Sequence, residues 1–202
     1  MILDIAKQLD AKIRAALSEV APGATITPAG SLRRERPAVN DLDYVILATP
    51  AEDAAIRRRI REGRGTTVIQ DGRINYSASL ADGTRLDLYF AQHPEQDMFS
   101  RTPGTYGTIL LCRTGSQLHN TYIAMRAQVL KLAWDPYWGL KLGHTVVAVE
   151  TEAQIYARLH MPYLEPRDRE FPQTMLTTAQ FQKDWPGATP LSEAERSEAS
   201  PS

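Results

Sequence analysis

Apolar residues recur at helical spacing over residues 3–20, where Ile5, Leu9, Ile13, Leu17 and Val20 are separated by charged positions. That period predicts an amphipathic helix covering a sheet, and Pro22-Gly23 ends it. Residues 24–27 read as a short strand, and a second apolar run, Tyr44-Val45-Ile46-Leu47, begins just after two aspartates. Thr49-Pro50-Ala51-Glu52 is a helix start in which threonine caps, proline takes the first turn and glutamate reaches back. This helix runs through Arg57-Arg58-Arg59-Ile60-Arg61 to Gly63. Strands are then predicted over 66–70, 74–80 and 84–90, broken by the turn dipeptides Asp71-Gly72 and Asp82-Gly83. A mixed sheet with two flanking helices follows, an α+β arrangement.

The pattern loosens over residues 94–103, and a domain boundary is placed near residue 99. Residues 105–111 are small and apolar and predict a short helix or turn. Thr114-Gly115-Ser116 opens a helix whose expected inner face is Leu118, Tyr122, Met125 and Val129. Residues 134–137, 139–142 and 146–149 predict a small hairpin, and Thr151-Glu152-Ala153-Gln154 starts another helix by the capping-box rule. Pro, Ser, Ala and Glu dominate the end of the chain, where disorder is expected. The expected division is therefore 1–98, 99–170 and an acidic tail over 171–202, the middle part being a small α+β subdomain.

Composition supports a globular protein with a buried core: 202 residues, 43% hydrophobic and 23% charged. No run approaches the roughly 18 apolar residues that span a bilayer. The first helix carries Asp4, Lys7 and Asp10, unlike a secretory signal, so an intracellular monomer without membrane contact is expected. The one cysteine, Cys112, excludes an internal disulfide and a cysteine-rich zinc site and is expected as a small core residue. A net charge of −1 predicts only modest nucleic-acid affinity that falls with salt. The arginines between 57 and 64 suit a solvated helix face or a DNA backbone contact.

Candidate chemistry concentrates in residues 30–44. Asp41 and Asp43 are two apart at the start of a strand, so both carboxylates point to one side. Hard oxygen donors on a common face suit Mg²⁺, with Mn²⁺ as a substitute. Asp87 lies on another apolar strand, Arg85-Leu86-Asp87-Leu88-Tyr89-Phe90, and joins the cluster if the two strands are neighbours. Two ions about 3.5–4 Å apart would then serve an in-line phosphoryl transfer. Gly30-Ser31 ahead of a helical turn exposes backbone N–H groups to phosphate, and Arg34 adds a forked permanent charge. One of Arg33 and Arg34 is expected on the solvated face. Arg85 shares the face of Asp87 and would orient its carboxylate.

Gly30-Ser31-Leu32-Arg33-Arg34, then Asp41-Leu42-Asp43, then Asp87, with Thr114-Gly115-Ser116 and His119-Asn120 further on, resembles the DNA polymerase family X branch of the nucleotidyltransferase superfamily over about residues 20–170. The resemblance implies a palm followed by a nucleotide-facing subdomain, in which two Mg²⁺ sit on Asp41, Asp43 and Asp87. It implies that Gly30, Ser31 and Arg34 bind the triphosphate and that Gly115, Ser116 and Asn120 position sugar and base. The implied partners are a nucleoside triphosphate and a DNA primer-template or gapped DNA, with nucleotides added to a 3′-hydroxyl in repair. Fewer than thirty residues precede the phosphate loop, less than the N-terminal lyase domain of larger members needs.

Departures from the family pattern are specific. Asn40 stands where the family usually has glycine, as a residue tolerant of left-handed backbone. Cys112-Arg113 replaces a common Tyr-Phe pair, so weaker discrimination against a 2′-hydroxyl is expected. Ala124 stands where an arginine often reaches the template, which leaves a template-independent terminal transferase open. A small-molecule or antitoxin-type nucleotidyltransferase shares Gly-Ser and Asp-x-Asp but does not need the Thr-Gly-Ser and His-Asn segment. A catalytically silent DNA-end or scaffold protein would not need the aspartate trio.

Overall fold

Asp41–Leu47 (β2) and Arg85–Ala91 (β5) lie side by side, parallel and in register, at the centre of a five-stranded sheet. The computed structural model describes residues 1–96, 101–143, 145, 146 and 150–170. Thr25–Pro28 (β1) runs antiparallel on one side of β2, while Asn75–Ser79 (β4) and then Thr67–Asp71 (β3) complete the other side. The order β1-β2-β5-β4-β3 is mixed because only β2 and β5 are parallel. Strands buried on both faces are expected to be almost continuously apolar. β2 becomes so from Tyr44, and its first residues are the acidic ones.

Period-two alternation divides this sheet into two faces. Leu42, Tyr44 and Ile46 with Leu86 and Leu88 face one side, where Leu3–Val20 (α1) and Pro50–Arg61 (α3) cover them. Val45 and Ala91 face the other, against Ile109 and Leu110 of Tyr106–Thr114 (α4). Asp41, Asp43 and Asp87 are on that second face. The expected capping box is present at Thr49 and Glu52, and Pro50 fills the first turn of α3.

Helix α1 follows its predicted span and most of its predicted face: Leu17 is buried and Leu9, Ile13 and Val20 pack against the core, while Ile5 is 53% exposed and Ala6 and Asp10 are buried as well. The charge at position 10 is tolerated because Asp10 accepts hydrogen bonds from the Tyr44 hydroxyl at 2.9 Å and from Arg14 at 2.7 Å. Arg57 also departs from expectation. It turns inward to stack 4.3 Å from the Phe90 ring and pairs with Asp53 and Asp71, so it is unavailable to DNA.

Beyond the sheet, Glu95–Gln96 (β6) pairs with Arg101–Thr102 (β7), and residues 97–100, where the boundary near 99 was expected, lie outside the described residues. Gln117–Val129 (α5) packs with the three-stranded sheet of Ala133–Asp135 (β8), Gly139–Leu142 (β9) and Thr145–Val146 (β10), in the order β10-β9-β8. Glu152–Arg158 (α6) closes this second core. The predicted inner face of α5 is rotated: His119, Tyr122, Ile123, Arg126 and Ala127 are buried, and Val129 is 41% exposed. Buried Arg126 donates to the Leu159 carbonyl at 2.8 Å, and His119 Nε2 meets the Tyr156 hydroxyl at 2.7 Å. An apolar count along the helix cannot show such internal partners. The tail over 171–202 lies outside the described residues. Among the described residues no helix is long and apolar enough to cross a membrane.

A buried ionic knot joins the two cores. Arg33 grips Glu152 with two bonds of 2.8 and 2.7 Å and also reaches Thr114 Oγ1 at 2.6 Å. Arg169, fully buried, donates to the same carboxylate at 2.7 Å. The expectation that one of Arg33 and Arg34 faces solvent is therefore corrected: neither does. Close approach supports the knot at Gly107, where a Cβ would stand 2.5 Å from the Glu150 and Thr151 backbone.

Burial pushes the Glu152 carboxyl up, but hydrogen bonds from Arg33 and Arg169 outweigh it and hold the group below its ordinary value. The folded protein therefore binds this proton more weakly than the unfolded chain. Its stabilisation is present above the ordinary value of 4.5 and is lost as pH falls below it. Glu152→Ala strands two buried cations and should cost about 3–5 kcal/mol in urea unfolding near neutral pH. A loss under about 1 kcal/mol would show that the knot does not hold the cores together.

Candidate active site

β2 and β5 place Asp43 directly beside Asp87, with Asp41 beside Arg85. Helix α4 covers the same face further along the strands, over Val45 and Ala91. The carboxylates therefore emerge where the covering helix stops. Burial and the charges of Asp41 and Asp87 push the Asp43 carboxyl up to about 7, against a weaker pull from Arg113 and Arg34. Asp87, 6% exposed, accepts from Arg85 Nε at 2.8 Å, as the shared strand face predicts. Among the described residues, no group of three His, Cys, Asp or Glu side chains, Asp41, Asp43 and Asp87 included, is arranged to hold a metal ion. Uncompensated carboxylates repel, and Arg85 engages one of them. The donors are nonetheless the hard oxygens that Mg²⁺ takes.

Ala29, whose N–H donates to the Asp43 carbonyl at 2.8 Å, leads from β1 into the single turn Gly30–Arg33 (α2). Gly30 has a φ of +56°, and a Cβ there would fall 2.0 Å from Asp43 Oδ2. The glycine is what lets the loop lie against the carboxylate. Ser31 Oγ is buried and finds no hydrogen-bond partner among the described residues, an orphan that a phosphate oxygen would satisfy. Asn40 does not take the left-handed backbone that its place suggests, since the positive-φ residues other than glycine are Glu35, Lys131 and His160 among those described.

Opposite the loop, Cys112, Arg113, Gly115 and Asn120 complete a cleft of about 620 Å³ with Gly30, Ser31, Arg34, Asp41 and Asp43. Arg113 stacks 4.1 Å over the Tyr89 ring and donates to the Tyr137 hydroxyl at 2.8 Å, so its charge is fixed near the carboxylates. Cys112 is half-buried in the cleft wall rather than enclosed in the core. Asn120 Nδ2 donates to the Cys112 carbonyl at 2.7 Å, which ties α5 to α4. Ser116 does not line the cleft. Its hydroxyl caps α5 by accepting from His119 N–H at 3.3 Å and donates to the Arg169 carbonyl at 2.8 Å. Burial and the charge of Arg169 drive His119 down to about 3, so it stays neutral and acts as a packing residue.

Four cleft residues escape the sequence reading: Gln117, Thr121, Trp134 and Pro136. Gln117 and Thr121 were accessible from helical spacing, Gln117 being three before Asn120 and Thr121 four after Gln117. Trp134 and Pro136 come from a separate strand and carry no such signal. Ser77 was also missed. It pairs across β4 with Asp87, is buried, and its hydroxyl has no partner among the described residues.

Residues 109–170 match the family model described as DNA polymerase beta thumb. The match begins within α4, covers less than half of the chain, and leaves out the sheet that carries the carboxylates. It relates the second core to that polymerase domain, a DNA-binding context. No curated protein matches the chain.

The contact of Gly30 with Asp43 is directly testable. Gly30→Ala should cost about 1–2 kcal/mol from backbone strain alone and more from the clash. In an Asp43→Ala background the clash component should disappear, so a double-mutant cycle on unfolding free energy should show coupling of at least about 1 kcal/mol. Additive effects would mean that the loop does not rest on this carboxylate.

Proposed function

We propose that the protein is a metal-dependent nucleotidyltransferase of the family X polymerase kind, which transfers a nucleoside monophosphate from a nucleoside triphosphate to a DNA 3′-hydroxyl and releases pyrophosphate. The observation that supports this reading is the cleft in which the Gly30-Ser31 loop, Asp41 and Asp43 of β2 and a thumb-like wall face one another, with Asp87 not among its lining residues but beside Asp43 on the neighbouring strand.

Asp41, Asp43 and Asp87 are the residues that would hold Mg²⁺, or Mn²⁺ in its place, and such ions supply positive charge that acidifies a hydroxyl and offsets the triphosphate. Gly30 gives backbone access and Ser31 a free hydroxyl at the phosphates. Arg34 stabilises charge that grows on the leaving pyrophosphate. Arg85 holds Asp87 in place through its 2.8 Å bond. Cys112, Gly115 and Asn120 face the sugar and base, and the small Cys112 leaves room for a 2′-hydroxyl. No histidine is needed as a base, in keeping with the buried, neutral His119. The role fits gap filling or end extension in DNA repair.

A template-independent variant of the same reaction is favoured by one observation. Arg126, the nearest arginine to the half-buried Ala124, is itself buried on the Leu159 carbonyl and cannot reach a template strand.

A labelled primer offered on gapped DNA, on a simple template and as a single strand should be extended with Mg²⁺ or Mn²⁺, and with ribonucleotides within about a thousandfold of deoxyribonucleotides, roughly 4 kcal/mol. Asp87→Ala should abolish extension while leaving most nucleotide binding intact. Normal turnover by that variant would refute the three-carboxylate site.

A further inference from the structure

Arg34 reaches the cleft beside Gly30 and Ser31, yet it already holds an anion. Its Nε donates to Glu170 Oε1 at 2.6 Å, and a terminal nitrogen donates to the Thr114 carbonyl. Arg36 Nε lies 3.5 Å from the same Glu170 oxygen. The two side chains of the main pair are only 15% and 31% exposed, so water screens them incompletely.

Glu170 does not reach this position by chance. The preceding residue, Arg169, is fully buried; its guanidinium bonds Glu152 at 2.7 Å and the Leu164 carbonyl at 2.9 Å. Its own carbonyl accepts from Ser116 Oγ at 2.8 Å. The knot that joins the two cores therefore also delivers a carboxylate to the rim of the phosphate seat.

We propose that Glu170 is a tethered counter-anion of that seat, setting its affinity by occupying the Arg34 guanidinium until a triphosphate displaces it. This rests on the nucleotide reading of the cleft. A triphosphate carries more charge than one carboxylate and wins the exchange, but its gain is reduced by the ion pair it breaks. The same competition acts on pyrophosphate, so the returning carboxylate helps the product leave. Glu170 touches neither sugar nor base. Its effect should be indifferent to the nucleobase and confined to phosphate binding.

Calorimetric titration of the full chain with inorganic tripolyphosphate and with a nucleoside triphosphate, at fixed Mg²⁺, tests this. Glu170→Gln should tighten both by about three- to tenfold, the worth of one partly exposed charged hydrogen bond. KM should fall by a similar factor with kcat not raised. Glu170→Ala, measured below both melting temperatures, should do the same, which separates the effect from loosened packing. Unchanged or weaker binding in both variants, with Arg34→Gln still losing affinity, would overturn this inference and make Glu170 a support for Arg34. Binding that Arg34→Gln leaves untouched would instead sink the nucleotide reading of the cleft, and this inference with it.

Discussion

Glu152 sits between two arginines drawn from opposite ends of the structure, and the cleft exists because of that contact. Arg33 follows the Gly30-Ser31 turn, while Glu152 opens α6, 119 residues later. Removing charges from water is costly, and a buried pair offsets that cost only with good geometry and satisfied partners. Both conditions hold: the grip is two-pronged, and Arg169 and Thr114 use remaining bonding capacity. Because Arg33 is one residue from Arg34 and three from Gly30, fixing it also fixes the loop. The same contact sets how far α4 and α5 stand from the acidic strands.

The carboxylates depend on a second arrangement, the parallel register of β2 and β5. One residue of slip would turn the whole acidic set toward α1 and α3, into an apolar core. Held in register, three carboxyls share the edge of a half-covered face, and burial, with the charges of Asp41 and Asp87, drives Asp43 up to about 7. Arg85, Arg113 and Arg34 surround the set without cancelling it. On the proposed reading a cation would relieve this repulsion, and the partnerless Ser31 hydroxyl beside it would meet a phosphate oxygen.

Local signals in the sequence carried much of this. Alternation located the strands, the Thr49 and Thr151 capping boxes located two helix starts, and the Asp82-Gly83 turn located the hairpin whose second arm carries Asp87. Gly30, Ser31, Arg34, Cys112 and Asn120 were assembled in advance from short motifs, and they do meet in one cleft. Long-range polar pairing was not legible. Nothing near Arg33 announces Glu152, and nothing near Glu170 announces Arg34. Helix α5 is rotated, and Asp10 of α1 is buried, for the same reason: Asp10, His119 and Arg126 are buried where a distant hydroxyl or carbonyl satisfies them.

A crystal grown with Mn²⁺ and a non-hydrolysable nucleoside triphosphate tests the central claim most directly, through the anomalous signal of the metal. The account predicts manganese peaks on Asp41, Asp43 and Asp87, with the phosphates against Gly30, Ser31 and Arg34. Manganese bound away from those carboxylates, or a triphosphate seated elsewhere, would contradict it.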